Sequence, residues 1–230
     1  MVRLLAPLAL LLAASSASAA ERRHQVGSFD RVRVNGPFDV TFTTGSPGAR
    51  VSGDADAVDA VEVRVDGSVL TIRAAGGGWG ERPRARAARS VGVVLSSPTL
   101  SDALVLAGGR LSIARVKGAR LGVTVNGAGS IAVADAAVGR VDAAVLGAGA
   151  MTLAGRAQAV NLRTSGAGRI DAGALQADTL SVVLDGPGET LAAARYSADV
   201  TNIGLGAVTV SGKPRCTVKA PAGGLVRCGK

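Results

Sequence analysis

The stretch Val125-Asn-Gly-Ala-Gly-Ser-Ile-Ala-Val133 places two glycines between two short runs in which every second residue is apolar. Alternation with a period of two is typical of a β-strand that buries one face. The glycines suit a tight corner that needs a positive φ or a close approach of neighbouring backbone. The stretch therefore predicts two strands that meet at a corner.

A glycine-rich stretch of this kind can also be a phosphate-binding loop. A dinucleotide-binding loop needs a third glycine and a following helix, and a P-loop ends in Gly-Lys-Ser or Gly-Lys-Thr. "GAGSIA" (127–132) has neither feature. Calcium-binding nonapeptide repeats need an aspartate after the glycines, where this chain has Ser130, Ala150, Arg169 and Glu189. We therefore predict no cofactor and no metal site.

The glycine pair recurs at intervals of 20, 19, 20 and 18 residues. Ala107 takes the place of the first glycine 20 residues before Gly127. "VRVNGPFDVTF" (32–42) superposes without a gap on "VTVNGAGSIAV" (123–133), which predicts an early coil of the same kind. The predicted structural turns are Gly36, Gly127, Gly129, Gly147, Gly149, Gly166, Gly168, Gly186, Gly188, Gly204 and Gly206.

Units of about twenty residues cannot bury their own apolar faces, so they must stack on one another. Stacked coils advance by about 4.8 Å each, and their narrow interior suits small branched side chains. We therefore predict an all-β, single-domain parallel β-helix, a right-handed β-solenoid, over residues 29–230 with coils of about 18–20 residues. Leucine-rich and hexapeptide repeats fit less well, because no asparagine recurs at a fixed place and no six-residue period is kept.

The N-terminus has the pattern of a signal peptide over residues 1–20. Arg3 precedes an apolar segment (4–14) and a run of small residues (15–20). The apolar segment is too short to span a bilayer, which needs about 20 residues. We expect no transmembrane segment, export to the periplasm or the cell surface, and a flexible N-terminus over residues 21–28.

The two cysteines, Cys216 and Cys228, lie near the C-terminus. An exported chain meets oxidising conditions, and the spacing is not that of a CxxC redox or metal motif. We expect a disulfide that holds a C-terminal cap over residues 213–230.

The region between the early coil and the regular repeats is less uniform. "VEVRV" (61–65) and "VLTIRA" (69–74) flank Asp66-Gly67, which predicts a hairpin. The acidic segment "SGDADAVDA" (52–60) could offer carboxylates to calcium, but it lacks an EF-hand pattern and favours a polar turn or a short helix. The alternating pattern restarts at "VGVVL" (91–95).

The segment "GGGWGERPRARAAR" (76–89) breaks the strand pattern. A tryptophan among arginines can dock on an anionic polymer or a membrane surface, whereas the alternative is a flexible, solubilising insertion. The chain's formal net charge of +9 agrees with an anionic partner, but five aromatic residues give little support for nucleic-acid binding. The residues of this proposed contact are Trp79, Arg82, Arg84, Arg86 and Arg89.

Catalytic patterns are weak. The only histidine, His24, lies close to the N-terminus, which argues against a Ser-His-Asp triad. A carbohydrate-active β-helix would group acids on one outer face. The outward positions before the glycine turns are instead mixed, namely Asn126, Leu146, Ser165, Asp185 and Ile203. We expect a protein that is not an enzyme, and the alternative is an enzyme acting on an anionic polysaccharide.

Four features together resemble a known family. They are "FDRVRVNGPFDVTF" (29–42), "VEVRVDGSVLTI" (61–72), "SSPTLSDALVLAGG" (96–109) and the serial "GAG" turns. The family is that of exported bacterial adhesin heads with a GIN-type domain, and the resemblance covers nearly all of the chain after the signal segment. It implies a β-helical fold and a role in adhesion, and it supplies no catalytic residues. We expect binding of an envelope polymer, an anionic glycan or a surface protein.

Overall fold

The computed structural model describes residues 19–75 and 91–229, in which nearly all elements are β-strands of one sheet. The first elements in chain order are β1 (Ala19–His24), β2 (Arg31–Asn35), β3 (Asp39–Thr44), β4 (Gly48–Asp54), α1 (Ala55–Asp59), β5 (Val61–Asp66), β6 (Val69–Ala74), β7 (Gly92–Ser97), β8 (Asp102–Ala107) and β9 (Arg110–Ile113). The remaining strands are β10 (Val116–Gly127), β11 (Ser130–Gly147), β12 (Ala150–Ser165), β13 (Arg169–Asp185), β14 (Glu189–Asn202), β15 (Ala207–Gly212), β16 (Arg215–Lys219) and β17 (Leu225–Cys228). The predicted all-β parallel solenoid is confirmed, because each strand from β10 to β14 pairs in parallel with the next.

A regular coil of the solenoid has three faces. In the coil that starts at Ser130, the first face is residues 130–133, the second is 136–138 and the third is 141–146. Side chains at every second position point inward and are buried, namely Ile131, Val133, Ala136, Val138, Val141, Ala143 and Val145. The coil closes at the next glycine turn, so the predicted alternation describes all three faces.

Equivalent side chains of successive coils stack directly. Parallel register aligns one interior column from β10 to β14, and all of its members are buried: Val123, Ala143, Leu162, Val182 and Val200. Removing this aliphatic surface from water stabilises the fold at roughly 25 cal/mol per Å². Two buried hydroxyls interrupt neighbouring columns, and their oxygens, on Thr164 and Thr190, lie 2.9 Å apart. They satisfy each other, so the interior accepts them.

The predicted early coil is confirmed. Strand β2 pairs in parallel with β8, and β8 pairs in parallel with β10. Val34 and Val125 therefore both lie opposite Val105. Phe42 lies opposite Ile113, which lies opposite Val133. The gapless superposition of 32–42 on 123–133 is thus the real stacking register.

The N-terminal end of the stack is covered by antiparallel strands. The predicted hairpin is confirmed, since β5 pairs with β6 and Asp66 lies opposite Val69. Strand β4 pairs antiparallel with β7, and β1 pairs antiparallel with β4. The acidic segment forms the short helix α1, which buries Val58. The flexible N-terminus expected over 21–28 is not what the structure shows at 21–24, because backbone bonds to β4 hold these residues in β1.

The C-terminal end is closed differently. Strands β16 and β17 pair in parallel with β14 and β15. Cys216 stacks on the buried Ala198 and Cys228 on the buried Val210, so both cysteines continue interior columns. Their disulfide, with Cα atoms 6.3 Å apart, confirms the expected pairing and crosses the end of the core.

In the turns that start at Gly127, Gly147, Gly166 and Gly186, the two glycines have different roles, whereas Gly204 has no positive φ and a Cβ there would clash with the backbone of Gly186. The first, at Gly127, Gly147, Gly166 and Gly186, has φ between 103° and 122°, where L side chains are strained. The second needs space instead of a special φ. A Cβ on Gly129, Gly149 or Gly168 would lie 2.6, 2.7 or 2.8 Å from a carbonyl oxygen of the preceding coil. Ala107 takes the first position with φ 63°, as its place in the repeat predicts.

Differences in coil length are absorbed mainly at one corner, between the first and second faces. The pairing register shifts there between Val133 and Ala136, between Thr152 and Ala154, and between Ala172 and Gln176. A further shift, between Ala177 and Thr179, lies on the second face of the β13–β14 pair. The third face stays in register throughout, so coils of 18 to 20 residues stack without disturbing the core.

Candidate functional site

An open groove runs along the second face. It consists of two adjoining cavities of about 320 and 620 Å³ that share Gln176 and Arg195. Its first rung is the start of β10, where residues 116–120 pair only with β11 within the described residues. The groove therefore belongs to the three-faced coils and is absent from the described N-terminal coils.

Small residues line both ends of the groove. Its lining includes Gly118, Ala137 and Gly139 at one end and Ala193 and Gly212 at the other. Longer polar side chains rise between them on the middle rungs: Arg156, Gln158, Gln176, Asp178 and Arg195. The groove thus combines an accessible floor with hydrogen-bonding groups from several successive coils.

Parallel register orders these polar groups along the solenoid axis. One outward column runs through Lys117, Ala137, Arg156, Gln176 and Ala193. Neighbouring strands lie about 4.8 Å apart. Arg156 therefore has Ala137 on the strand before it and the amide of Gln176 on the strand after it, each at about this distance along the axis. Arg156 makes no ion pair with a residue of the described chain, so its charge is available to a ligand.

Arg195 reaches the groove through a local irregularity in β14. Ala177 pairs with Ala194 and Thr179 with Ser197, so one residue of β13, Asp178, lies opposite two of β14. Such a bulge bends the strand and turns its side chains. Arg195 Nη1 lies 3.4 Å from Asp178 Oδ1, and its guanidinium carbon lies 5.0 Å from the ring centre of Tyr196. Both charged side chains are partly exposed, so the pair is weak and open to exchange with a ligand.

Tyr196 is the aromatic residue of this region. It is 57% exposed and follows Arg195 in the bulge. An exposed ring offers a flat apolar face beside the charged groups. The groove and its rim therefore present cations, amides, one carboxylate and one aromatic ring.

A polar network on the third face holds the stack and lies outside the groove. Asn161 Nδ2 donates to Asp142 Oδ1 at 2.7 Å, and the Nε atoms of Arg140 and Arg120 each lie 2.9 Å from an oxygen of the same carboxylate. Burial acts to raise the pKa of Asp142, but these hydrogen bonds and charges outweigh it and lower the pKa below its usual value. The carboxylate joins three successive coils, so its role is structural.

The contact residues predicted from the sequence share one outcome. Trp79, Arg82, Arg84, Arg86 and Arg89 lie outside the described residues. The strands on either side of that segment, β6 and β7, stack on β2 and β3, which the Gly36 turn joins.

Sequence reasoning missed the groove residues. Arg156 follows Gly147 by 9 residues, whereas Gln176 follows Gly166 by 10. The spacing differs because the corner of variable length lies between each glycine and the groove residue of the same coil. Counting from the glycines therefore does not align the two side chains. Aligning the buried residues after the corner, such as Ala157 with Ala177, would have placed them in one column.

No group of three or more His, Cys, Asp or Glu side chains in residues 19–75 and 91–229 could hold a metal ion. Among the same residues, no helix has the length and apolarity needed to cross a membrane.

The family follows from comparison with known proteins. Residues 28–214 match the family model described as "Putative auto-transporter adhesin, head GIN domain". The chain belongs to this family. The GIN-domain resemblance seen in the sequence is thereby confirmed, and the family description is that of an adhesin head. No curated protein matches the sequence.

Solved structures share the GIN-domain fold at low identity. A putative adhesin from Bacteroides fragilis is 20% identical with a TM-score of 0.83, covering 93% of this chain and 98% of its own. A putative adhesin from Parabacteroides distasonis is 18% identical with a TM-score of 0.75, covering 93% and 98%. A putative lipid binding protein from the same species is 15% identical with a TM-score of 0.70, covering 94% and 98%. At these identities the likeness shows the fold alone.

Proposed function

We propose that this protein is exported, by the signal peptide expected over residues 1–20, and binds an extended anionic polymer of the cell envelope or surface. The observation that carries the proposal is the open second-face groove, with Arg156 and Arg195 on its middle rungs. Membership in an adhesin family supports a binding role. The positive formal charge of the chain supports an anionic ligand.

The shape of the groove favours a polymer over a small molecule. Pockets for small molecules commonly enclose most of the ligand surface, whereas this groove is open along the solenoid axis. Its polar groups are spread over several coils, so a chain lying along the axis could contact Arg156, Gln176 and Arg195 in turn. A guanidinium binds carboxylate, sulfate or phosphate oxygens through paired hydrogen bonds, and glutamine amides suit hydroxyl groups.

The chemistry of the groove favours binding over cleavage. Most glycoside hydrolases use two carboxyl groups on opposite sides of the scissile bond. Among its described lining residues, the groove has one carboxylate, Asp178, which lies beside Arg195. We therefore propose a protein without catalytic activity and keep a polysaccharide-active enzyme as the alternative that the experiment must address.

The test compares two charge-neutralising variants of one coil. Arg156→Gln removes a cation from the groove, whereas Arg163→Gln removes an exposed cation from the third face of the same strand. We expect Arg156→Gln to weaken retention on immobilised polygalacturonate about tenfold, because a hydrogen-bonded charge pair contributes about 1.5–3 kcal/mol. Arg163→Gln should change retention little.

Equal losses in the two variants would mean that net charge alone attracts the polymer, and the groove would be rejected. Incubation of the soluble polymer with the unmodified protein supplies the second readout. Shortening of the polymer, removed by Asp178→Asn, would replace binding with cleavage as the function.

We also propose that the arginine-rich segment 76–89 adds a second contact with the anionic partner. Its flanking strands lie at the N-terminal end of the stack, so the segment can act independently of the groove. Deleting 76–89 should leave the circular dichroism spectrum and unfolding midpoint of the protein unchanged while weakening retention on polygalacturonate. A variant of full length with Arg82, Arg84, Arg86 and Arg89 replaced by glutamine is the matched control for loop length. Unchanged retention in both variants would remove the segment from the proposal.

A further inference from the structure

The C-terminal end of the solenoid has two free strand edges. Within the described residues, β16 pairs only with β14 and β17 pairs only with β15. The opposite edge of each strand carries backbone N–H and C=O groups without a strand partner. Such an edge is a template for one more strand.

The interior of the last coil is also incomplete. Val218 continues the column of Val182 and Val200, both buried, yet it is 45% exposed. Cys216, the other inward residue of β16, is exposed as well. An added strand with apolar residues above these two positions would give them the cover that every inner coil receives from the next.

The charge at this end selects the partner. The last acidic residue of the chain is Asp199, and the outward positions of the edge strands include Arg215, Lys219 and Arg227. Like charges on opposing strands are destabilising and opposite charges are favourable. The cations therefore disfavour the same end of a second copy and favour an acidic strand.

The edge is held in place before any partner arrives. The disulfide joins β16 to β17, so both strands are fixed to each other as well as to the coil below. A fixed template loses less conformational entropy on binding. Exposed apolar side chains at the same end, Ile203, Leu205 and Leu225, offer further contact to a partner protein that supplies the strand.

We propose that the C-terminal end binds an extended acidic segment of a partner protein, which adds to β16 as the next parallel strand. Acidic residues of the segment lie above Arg215 and Lys219, and apolar residues lie above Cys216 and Val218. Strand addition of this kind obtains affinity from main-chain hydrogen bonds and specificity from alternate side chains. The second-face groove takes no part, so this interaction is separate from polymer binding.

The test uses short synthetic peptides with the full-length oxidised protein. The probe contains Glu-Val-Thr-Val-Glu, the pattern that complements β16. A second peptide contains Lys-Val-Thr-Val-Lys, and a third contains Glu-Val-Pro-Val-Glu, in which proline removes a ladder hydrogen bond. We expect the first to bind about tenfold more tightly than the other two and to slow amide hydrogen exchange in β16. Equal binding of the three peptides, or none, would overturn the proposal.

A charge exchange keeps the test independent of one peptide. Arg215→Glu with Lys219→Glu should reverse the preference toward the lysine peptide, and the milder Arg215→Gln with Lys219→Gln should abolish it. Arg33→Glu with Arg163→Glu, two exposed third-face cations, is the control and should keep the original preference. A retained preference after the exchange would contradict the proposed register.

Two other occupants of the edge have their own outcomes. Self-association that the charge exchange changes, seen by sedimentation without peptide, would assign the edge to a second copy. Binding to phosphatidylglycerol vesicles that the exchange removes, without peptide binding, would assign it to a lipid surface. Either result would overturn the proposal.

Discussion

The two ends of this solenoid are closed by different means. At the N-terminal end, the chain folds antiparallel strands over the stack, with β5 on β6 and β4 on β7. These strands and α1 bury Val51 and Val58. At the C-terminal end, a disulfide crosses the core and an inward valine of β16, Val218, stays half exposed. A non-covalent cover thus closes one end, and a covalent bond holds the other without covering it.

The difference shows what a stacked fold needs at its limits. Each inner coil is stabilised from two sides, whereas a terminal coil has one neighbour. The N-terminal end solves this by adding buried apolar area. The C-terminal end has a disulfide instead, which reduces the conformational entropy of the unfolded segment. Because the disulfide does not cover the last strands, their edge stays accessible.

Removal of the disulfide should loosen the C-terminal end alone. The cysteines are 12 residues apart, and closing a loop of about this size contributes about 3 kcal/mol in the chain-entropy account. In the Cys216→Ala, Cys228→Ala variant, residues 213–229 should lose amide-exchange protection while β2 and β8 keep theirs. Reductant should reproduce this loss in the unmodified protein and have no effect on the variant. Loss of protection across the whole stack would show that the two ends unfold together.

The same substitution at the two ends should have unequal effects. Val51→Ala leaves a cavity under the N-terminal cover and should lower the free energy of unfolding by about 2 kcal/mol. Val218→Ala removes a half-exposed side chain and should lower it by less than about 0.5 kcal/mol. Urea unfolding of both variants measures the difference. Similar losses would mean that Val218 is covered in solution.

Substitutions at the first position of the turn should change stability in opposite directions at Ala107 and at Gly127. Ala107, in the coil that lies between β2 and β10, is strained at φ 63°, so Ala107→Gly should stabilise the protein by about 0.5 kcal/mol. Gly127→Ala, one coil further on, should destabilise it by about 1–2 kcal/mol, because L residues are strained at φ 106°. Thermal unfolding compares the two. Opposite signs are required, and a loss in both variants would contradict the assignment of strain to Ala107.

Between the ends, Asp142 should contribute a small stability that depends on pH. Its pKa is lowered in the folded state, so this contribution is present above the unfolded-state pKa and is lost as pH falls through the folded-state pKa. Asp142→Asn should therefore lower stability at neutral pH, by less than about 1 kcal/mol for a partly exposed network, and have little effect at acidic pH. The exposed Asp185→Asn is the control. A loss from Asp142→Asn that is the same at both pH values would exclude the ionic contribution.

The sequence predicts the features that repeat and the features that are local. Gly127 and its equivalents, the alignment of Val34 with Val125, and the hairpin at Asp66-Gly67 each leave a pattern within one short segment. Their structural counterparts follow from alternation and turn chemistry alone. The disulfide also follows, because the chain has two cysteines and an expected export route.

Features that depend on distant pairing could not be found in the same way. Strand β1 pairs with β4, but β2 and β3 lie between them in the sequence. No local sequence pattern therefore indicates this pairing. The groove depends on register across a corner of variable length, so Arg156 and Gln176 do not share a fixed distance from the glycines. The bulge at Arg195 exists only relative to Asp178 on the neighbouring strand.

The corner between the first and second faces has a practical consequence. The natural coils already differ there, with residues 134–135 in one coil and a single residue, 154, at the same place in the next. The core columns on either side remain aligned, so this position tolerates a change of length. A short epitope or a fluorophore attachment site placed between Val133 and Ala136 would label the protein while leaving its stacking order intact.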